Sequence, residues 1–175
     1  MAGPADESLV PDELRREFEH FATTSNPRAP LYAALSTVIA RDDGLYGLLR
    51  HAPPTQRLPV LLFACVHELV IEHPQHPLAD WYPNLTAIPR SPTDRALAST
   101  FTSFVALHRE RLVQLLSTRT TQTNEVGRCG SFLPALGLIG DEVGAIGLLD
   151  VGTSGGLNLL LDRYEYRYRG CLLYT

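Results

Sequence analysis

The chain contains no lysine, and its 15 basic residues, all arginines, are outnumbered by 19 acidic ones. The net charge of −4 leaves no basic stripe for phosphate backbones, so no nucleic-acid partner is expected. Three cysteines without a CxxC pair argue against a disulfide framework or a thiolate zinc site. The longest apolar run, residues 60–66, is too short to span a bilayer. We therefore expect a cytoplasmic protein with no membrane partner.

The remaining composition is that of a globular protein. Of the 175 residues, 45% are hydrophobic and 19% charged, which is enough for one domain and part of another. Residues 1–10 are acidic and lack the apolar core of a signal peptide, and we expect them to be disordered.

Residues 11–143 predict a helical domain. Apolar residues recur at helical spacing after Pro11 and after Pro30, and proline is well suited to the first turn of a helix. Residues 56–72 are apolar on nearly all sides, which predicts a central buried helix. One long helix is predicted from Pro92 to residue 115, and another, kinked by proline, follows Asn124.

Residues 144–175 have a different pattern. The short apolar run 146–151, bounded by glycines, predicts a strand buried on both faces of a parallel sheet. A glycine-rich turn at residues 152–156 leads into a helix start, and alternating tyrosines at 164–168 predict a short second strand. The predicted fold is thus a mainly α region followed by the first β-α(-β) unit of an incomplete Rossmann-like α/β sheet.

The turn at residues 152–156, called the glycine turn below, is compatible with two known motifs. It lacks the lysine of a phosphate-binding loop and the second and third glycines of the dinucleotide motif. Asp150-x-Gly152-x-Ser154-x-Gly156 is typical of the first motif of S-adenosylmethionine-dependent methyltransferases. The same residues spell G-x-S-x-G, the elbow of a serine hydrolase with Ser154 as nucleophile. A hydrolase also needs strands upstream and a histidine downstream, and no histidine follows His108, so the methyltransferase interpretation is favoured.

Two further groups of polar residues are candidate sites. Asn124, Glu125 and Arg128 would line a cleft above the glycine turn, where they would orient a substrate or a cofactor. Capping by Asn124, a favourable helix dipole and an ion pair explain the same residues without a ligand. The spacing of His67, His73 and His76 does not form HExxH, so no metal site is predicted.

Four segments of the chain together resemble the bacterial domain-of-unknown-function family 2332. They are PLYAAL (30–35), HPLADWYP (76–83), QTNEVGRC (122–129) and LLDVGTSGGLNLLLDRY (148–164). The resemblance implies a helical part joined to a methyltransferase-like Rossmann domain with no established substrate. It also implies a longer chain, so this one is expected to be truncated.

The functional expectation is a methyltransferase-like protein that binds S-adenosylmethionine as a small-molecule cofactor. The binding residues would be Asp150, Gly152, Ser154 and Gly156, with Asn158 at the helix start. No catalytic residue is assigned. No acid stands where the ribose hydroxyls would be held, so the chain is expected to be inactive alone. The alternatives are a non-catalytic helical interaction module and, third, the serine hydrolase.

Overall fold

The computed structural model of the protein describes residues 10–25, 28–122 and 125–168. The chain divides into two compact units, an N-terminal unit that ends at Thr121 and a C-terminal unit that begins at Gln122. The predicted disordered segment 1–10 lies outside the described residues except for Val10, the first residue of a helix. No described helix is long and apolar enough to cross a membrane.

All the regular secondary structure described in the N-terminal unit is helical. Its α-helices are α1 (Val10–Ser25), α2 (Pro30–Ile39), α3 (Asp43–Tyr46), α4 (Pro59–Glu72), α5 (Ala96–Leu107) and α6 (Arg109–Thr118). Short 3₁₀ segments occupy Gly47–His51, Pro54–Gln56 and Pro77–Trp81.

Local sequence explains where several of these helices begin. Pro30 is the first residue of α2, as predicted, because a proline there gives up no hydrogen bond of the helix interior. Asp42 caps α3 by accepting hydrogen bonds from the amides of Gly44 and Leu45, at 2.9 and 3.2 Å. Before α5 the capping residue is Asp94, whose Oδ1 accepts from the Ala96 amide at 2.9 Å.

The core of the N-terminal unit forms around α4. The predicted central buried helix corresponds to α4: eight of its 14 residues are buried, while Val60 and Ile71 are 42% and 51% exposed. Phe63 lies at the centre of an aromatic cluster, with ring centroids 6.1 Å from Phe18, 5.6 Å from Phe21 and 4.9 Å from Tyr32. Trp81, the chain's single tryptophan, is 1% exposed in the same core.

The single long helix predicted between Pro92 and residue 115 is two helices. α5 ends at Leu107 and α6 begins at Arg109. Between them His108 has φ −106° and ψ 18°, outside the helical region, although no proline or glycine is nearby. At the break, the ring of His108 stacks on the ring of His73, with centroids 4.3 Å apart.

The C-terminal unit contains one α-helix among its described residues, α7 (Arg128–Val143), followed by a 3₁₀ segment at Leu157–Arg163. Pro134 lies inside α7. The helical domain predicted over residues 11–143 included α7, but this helix groups with the glycine-rich segment that follows it.

The predicted Rossmann-like β-α(-β) unit is wrong. Residues 146–150 have no regular secondary structure, residues 165–168 have none either, and no strand occurs in the described ranges. A run of apolar residues satisfies a strand pattern, but a strand forms only where a neighbour supplies hydrogen bonds. No such neighbour exists in the described part of the C-terminal unit. Leu149 and Val151 are consequently 86% and 88% exposed instead of lying inside a sheet.

Candidate functional site

The glycine turn is a sequence of tight backbone reversals. Gly152, Ser154 and Gly156 all have positive φ, at 77°, 54° and 70°. Glycine adopts such angles without strain, whereas a serine does so only at a cost. Three alternate residues of the turn thus have positive φ, and glycine occupies two of these three positions.

The turn presents backbone donors to solvent. In the described part of the chain, the amides of residues 152–155 have no hydrogen-bond acceptor, while the Gly156 amide donates to the Thr153 carbonyl oxygen at 2.9 Å. Gly152 has no atom within 4 Å of the place where a Cβ would stand. A ligand can therefore approach this backbone closely, and its acceptor atoms would find unused N–H groups.

The two polar side chains predicted at either end of the turn have different environments. Asp150 precedes the turn, is partly exposed and has no hydrogen-bond or ion-pair partner among the described residues. Asn158 follows the turn and is engaged, because its Oδ1 accepts from the Cys129 thiol with an Sγ–Oδ1 distance of 3.5 Å. The carboxylate of Asp150 is thus available to a ligand, and Asn158 links the 3₁₀ segment to α7.

The second predicted group is only partly described. Asn124 lies outside the described residues. Glu125 is exposed and its Oε1 accepts from the Gly127 amide at 3.2 Å, so it stabilises the entry to α7. Arg128 is exposed at the first position of α7, and its side chain makes no ion pair with a described residue. The expected ion pair between Glu125 and Arg128 is therefore absent, while the cleft they were expected to line stays a prediction.

An open groove of about 520 Å³ lies beside the turn's flanking segments. Its walls are Ile146 and Leu148 before the turn, Leu159, Leu161 and Asp162 after it, and Leu136 of α7. The two segments that flank the glycine turn therefore form one mainly apolar surface that carries a single carboxylate. Metal-binding clusters of three or more histidine, cysteine, aspartate or glutamate side chains do not occur in the described ranges.

Comparison with protein families identifies the chain at the level of its family. The model of the family described as "Uncharacterized protein conserved in bacteria (DUF2332)" matches residues 15–172. The chain belongs to this family. The match to DUF2332 confirms the resemblance drawn from the four sequence segments and covers both structural units. No curated protein and no solved structure matches the chain.

Sequence patterns gave the wrong role to the tyrosines of this DUF2332 member. They alternate as on a strand face, but each hydroxyl donates to a backbone carbonyl: Tyr164 to Leu157 at 2.7 Å, Tyr166 to Leu161 at 2.6 Å and Tyr168 to Gly130 at 2.7 Å. They fasten the segment after the 3₁₀ turn to the turn itself and to α7. The one sequence signal for this role is the phenol hydroxyl, a hydrogen-bond donor that valine, isoleucine and phenylalanine lack.

Proposed function

We propose that the glycine turn binds S-adenosylmethionine and that the protein is methyltransferase-like. The observation that carries the proposal is the set of four consecutive amides, residues 152–155, that donate to no described acceptor. The methionine end of this cofactor has a carboxylate, which needs hydrogen-bond donors, and an ammonium, which needs acceptors. The turn offers the donors and Asp150 offers an acceptor.

The groups on either side of the turn offer a contact surface for the ring of the cofactor but no assigned acid for its ribose. The leucine and isoleucine side chains of the groove beside the flanking segments offer a surface for an uncharged ring. Two acids follow the turn: Asp162, which lines the groove and is paired with Arg163 at 3.4 Å, and Glu165, which is paired with Arg167 at 2.8 Å. Neither is assigned to the ribose hydroxyls. The proposal is therefore for binding through the methionine end.

When bound, the cofactor would supply a methyl group to a nucleophile of a substrate. The contribution of the protein is positioning: backbone amides fix the methionine end, and the exposed turn leaves the remainder of the cofactor accessible. No described side chain is assigned as a base.

Calorimetric titration of the full chain with S-adenosylmethionine tests the proposal. We expect heat of binding for the wild type and none for Gly152→Val, because a β-branched residue disfavours the positive φ and fills the open approach. Gly144→Val is the matched control: Gly144 also has positive φ, 83°, and open space at its Cβ, but it lies outside the turn. Heat must persist in this control. A flat wild-type titration at millimolar cofactor would contradict the proposal and favour the non-catalytic interaction module.

The serine hydrolase is the second candidate, and one observation favours it. Ser154 is exposed and has φ 54°, a strained serine of the kind that a nucleophile elbow presents. No histidine follows His108 in the sequence, which weakens this candidate. Incubation with a fluorophosphonate distinguishes the two, since covalent labelling of Ser154, lost in Ser154→Ala, is expected only of the hydrolase.

A further inference from the structure

Three histidines of the N-terminal unit meet at the ends of different helices. His73 follows the last residue of α4, His108 separates α5 from α6, and His76 precedes the 3₁₀ segment Pro77–Trp81. The rings of His73 and His108 stack with centroids 4.3 Å apart and an interplanar angle of 26°. The ring of Phe104 contacts the rings of both His108 and His76, with centroids 4.4 Å and 4.8 Å away. These rings thus join the end of α4 to the break between α5 and α6.

His76 has a hydrogen bond that requires an unprotonated nitrogen. Its Nδ1 accepts from the Leu78 amide at 3.1 Å and so caps the 3₁₀ segment. A protonated imidazole carries hydrogen on both nitrogens and has no acceptor left. Protonation of His76 at Nδ1 therefore breaks this cap and leaves the Leu78 amide without its partner.

The stacked pair also resists double protonation. His73 follows α4 directly, and its ring faces that of His108. If both rings were protonated, their charges would stand about 4 Å apart. Two unit charges at that distance repel by about 1 kcal/mol even in water, about fivefold in an equilibrium. Protonation of both rings therefore weakens the stack.

The other groups around His108 do not remove this repulsion. The pKa of His108 is lowered by burial first, then by the positive charges of His73 and His76, and only Glu72 opposes them. α2 offers Tyr32 as its single titratable side chain. Arg109 of α6 donates to the Gly44 carbonyl at 3.5 Å. The remaining charged groups on elements packed against α5 are Asp80, Glu110 and Arg111.

We propose that His73, His76 and His108 form a proton-sensitive latch, closed when the rings are neutral, that releases the end of α4 from the break between α5 and α6 on acidification. The proposal concerns the N-terminal unit and is independent of cofactor binding.

The direction of the pH dependence follows from the number of protons that the folded and unfolded states bind. The pKa of His108 is lower in the folded chain than in the unfolded chain, so the unfolded or opened form binds more protons as the pH falls. The latch is therefore fully closed above the ordinary histidine pKa of about 6.5 and weakens as the pH falls below it.

Two measurements on the full chain test the latch. Proton NMR of the histidine rings, from about pH 8 to about pH 5, gives the titration midpoint of His108. Amide exchange over the same range gives the protection of the Leu78 amide and of the Leu112 amide, which donates to the His108 carbonyl at 2.9 Å. We expect both amides to lose protection as the histidines titrate, after correction for the intrinsic pH dependence of exchange.

The exposed His73 supplies the test variant. In His73→Gln the midpoint of His108 should rise and the Leu112 amide should keep more of its protection in acid, because the charge of His73 is gone. His51→Gln is the matched control, since His51 is exposed on another 3₁₀ segment and no ring stacks on it among the described residues. An unchanged midpoint in His73→Gln, or wild-type protection that survives titration of all three histidines, overturns the proposal.

Discussion

Replacing Phe63 by leucine should destabilise the N-terminal unit more than an equal truncation at an exposed position of the same helix. Phe63 is 3% exposed and contacts the rings of Phe18, Phe21 and Tyr32. Leucine preserves most of the apolar volume but none of the ring contacts, and each aromatic pair contributes about 0.5–1.5 kcal/mol. Since such terms are not fully additive, we expect a loss of roughly 2–3 kcal/mol in the free energy of unfolding.

The assay follows Trp81 fluorescence during urea unfolding, because this buried residue is the single tryptophan and reports on the N-terminal unit. A urea slope of about 1–3 kcal/mol per molar converts the expected loss into a midpoint shift of roughly 1 M. The control is Ile71→Ala, which removes three carbon atoms from a side chain of α4 that is 51% exposed. If Phe63→Leu shifts the midpoint no more than this control, the aromatic cluster does not hold the core together as described.

Two other predictions concern titratable groups of the N-terminal unit. The amide of Ala96 and the guanidinium of Arg90 lower the pKa of Asp94, so its contribution to stability should be complete above the unfolded pKa and be lost as the pH falls through the folded value. Asp94→Asn should show a smaller loss of stability in acid than the wild type, measured by the same fluorescence assay. Burial and the nearby Glu68 raise the pKa of the Cys65 thiol to about 11, against the opposing charge of Arg119. Mass-spectrometric mapping after alkylation at about pH 8 should find Cys65 unmodified in the native chain and modified in urea, since the thiolate is the reactive form.

The N-terminal unit could largely be predicted from the sequence because its signals are local. Pro30 at the start of α2 and the apolar residues all around α4 decide helix position and burial within a few turns. The break at His108 could not be predicted in this way. No proline or glycine interrupts the helix there, and the ring that stacks on His108 at the break belongs to His73, 35 residues away in the sequence.

Most of the structure of the C-terminal unit could not be predicted from the sequence. The run 146–151 has the composition of a buried strand, but composition does not supply the neighbouring strand that a sheet needs, and the run is irregular and largely exposed. The glycine turn itself could be predicted, since glycines at 152 and 156 indicate backbone that other residues avoid. The positive φ of Ser154 could not be predicted, and neither could the hydrogen bonds from the tyrosine hydroxyls to backbone carbonyls.

The most direct test of cofactor binding at the glycine turn is an amide NMR titration of the ¹⁵N-labelled full chain with S-adenosylmethionine. We predict that the amides of residues 152–155 shift most, in a saturable manner, because they are the free donors that the cofactor carboxylate would engage. Saturable shifts confined to residues outside the turn, or no shifts at millimolar cofactor, would contradict the account.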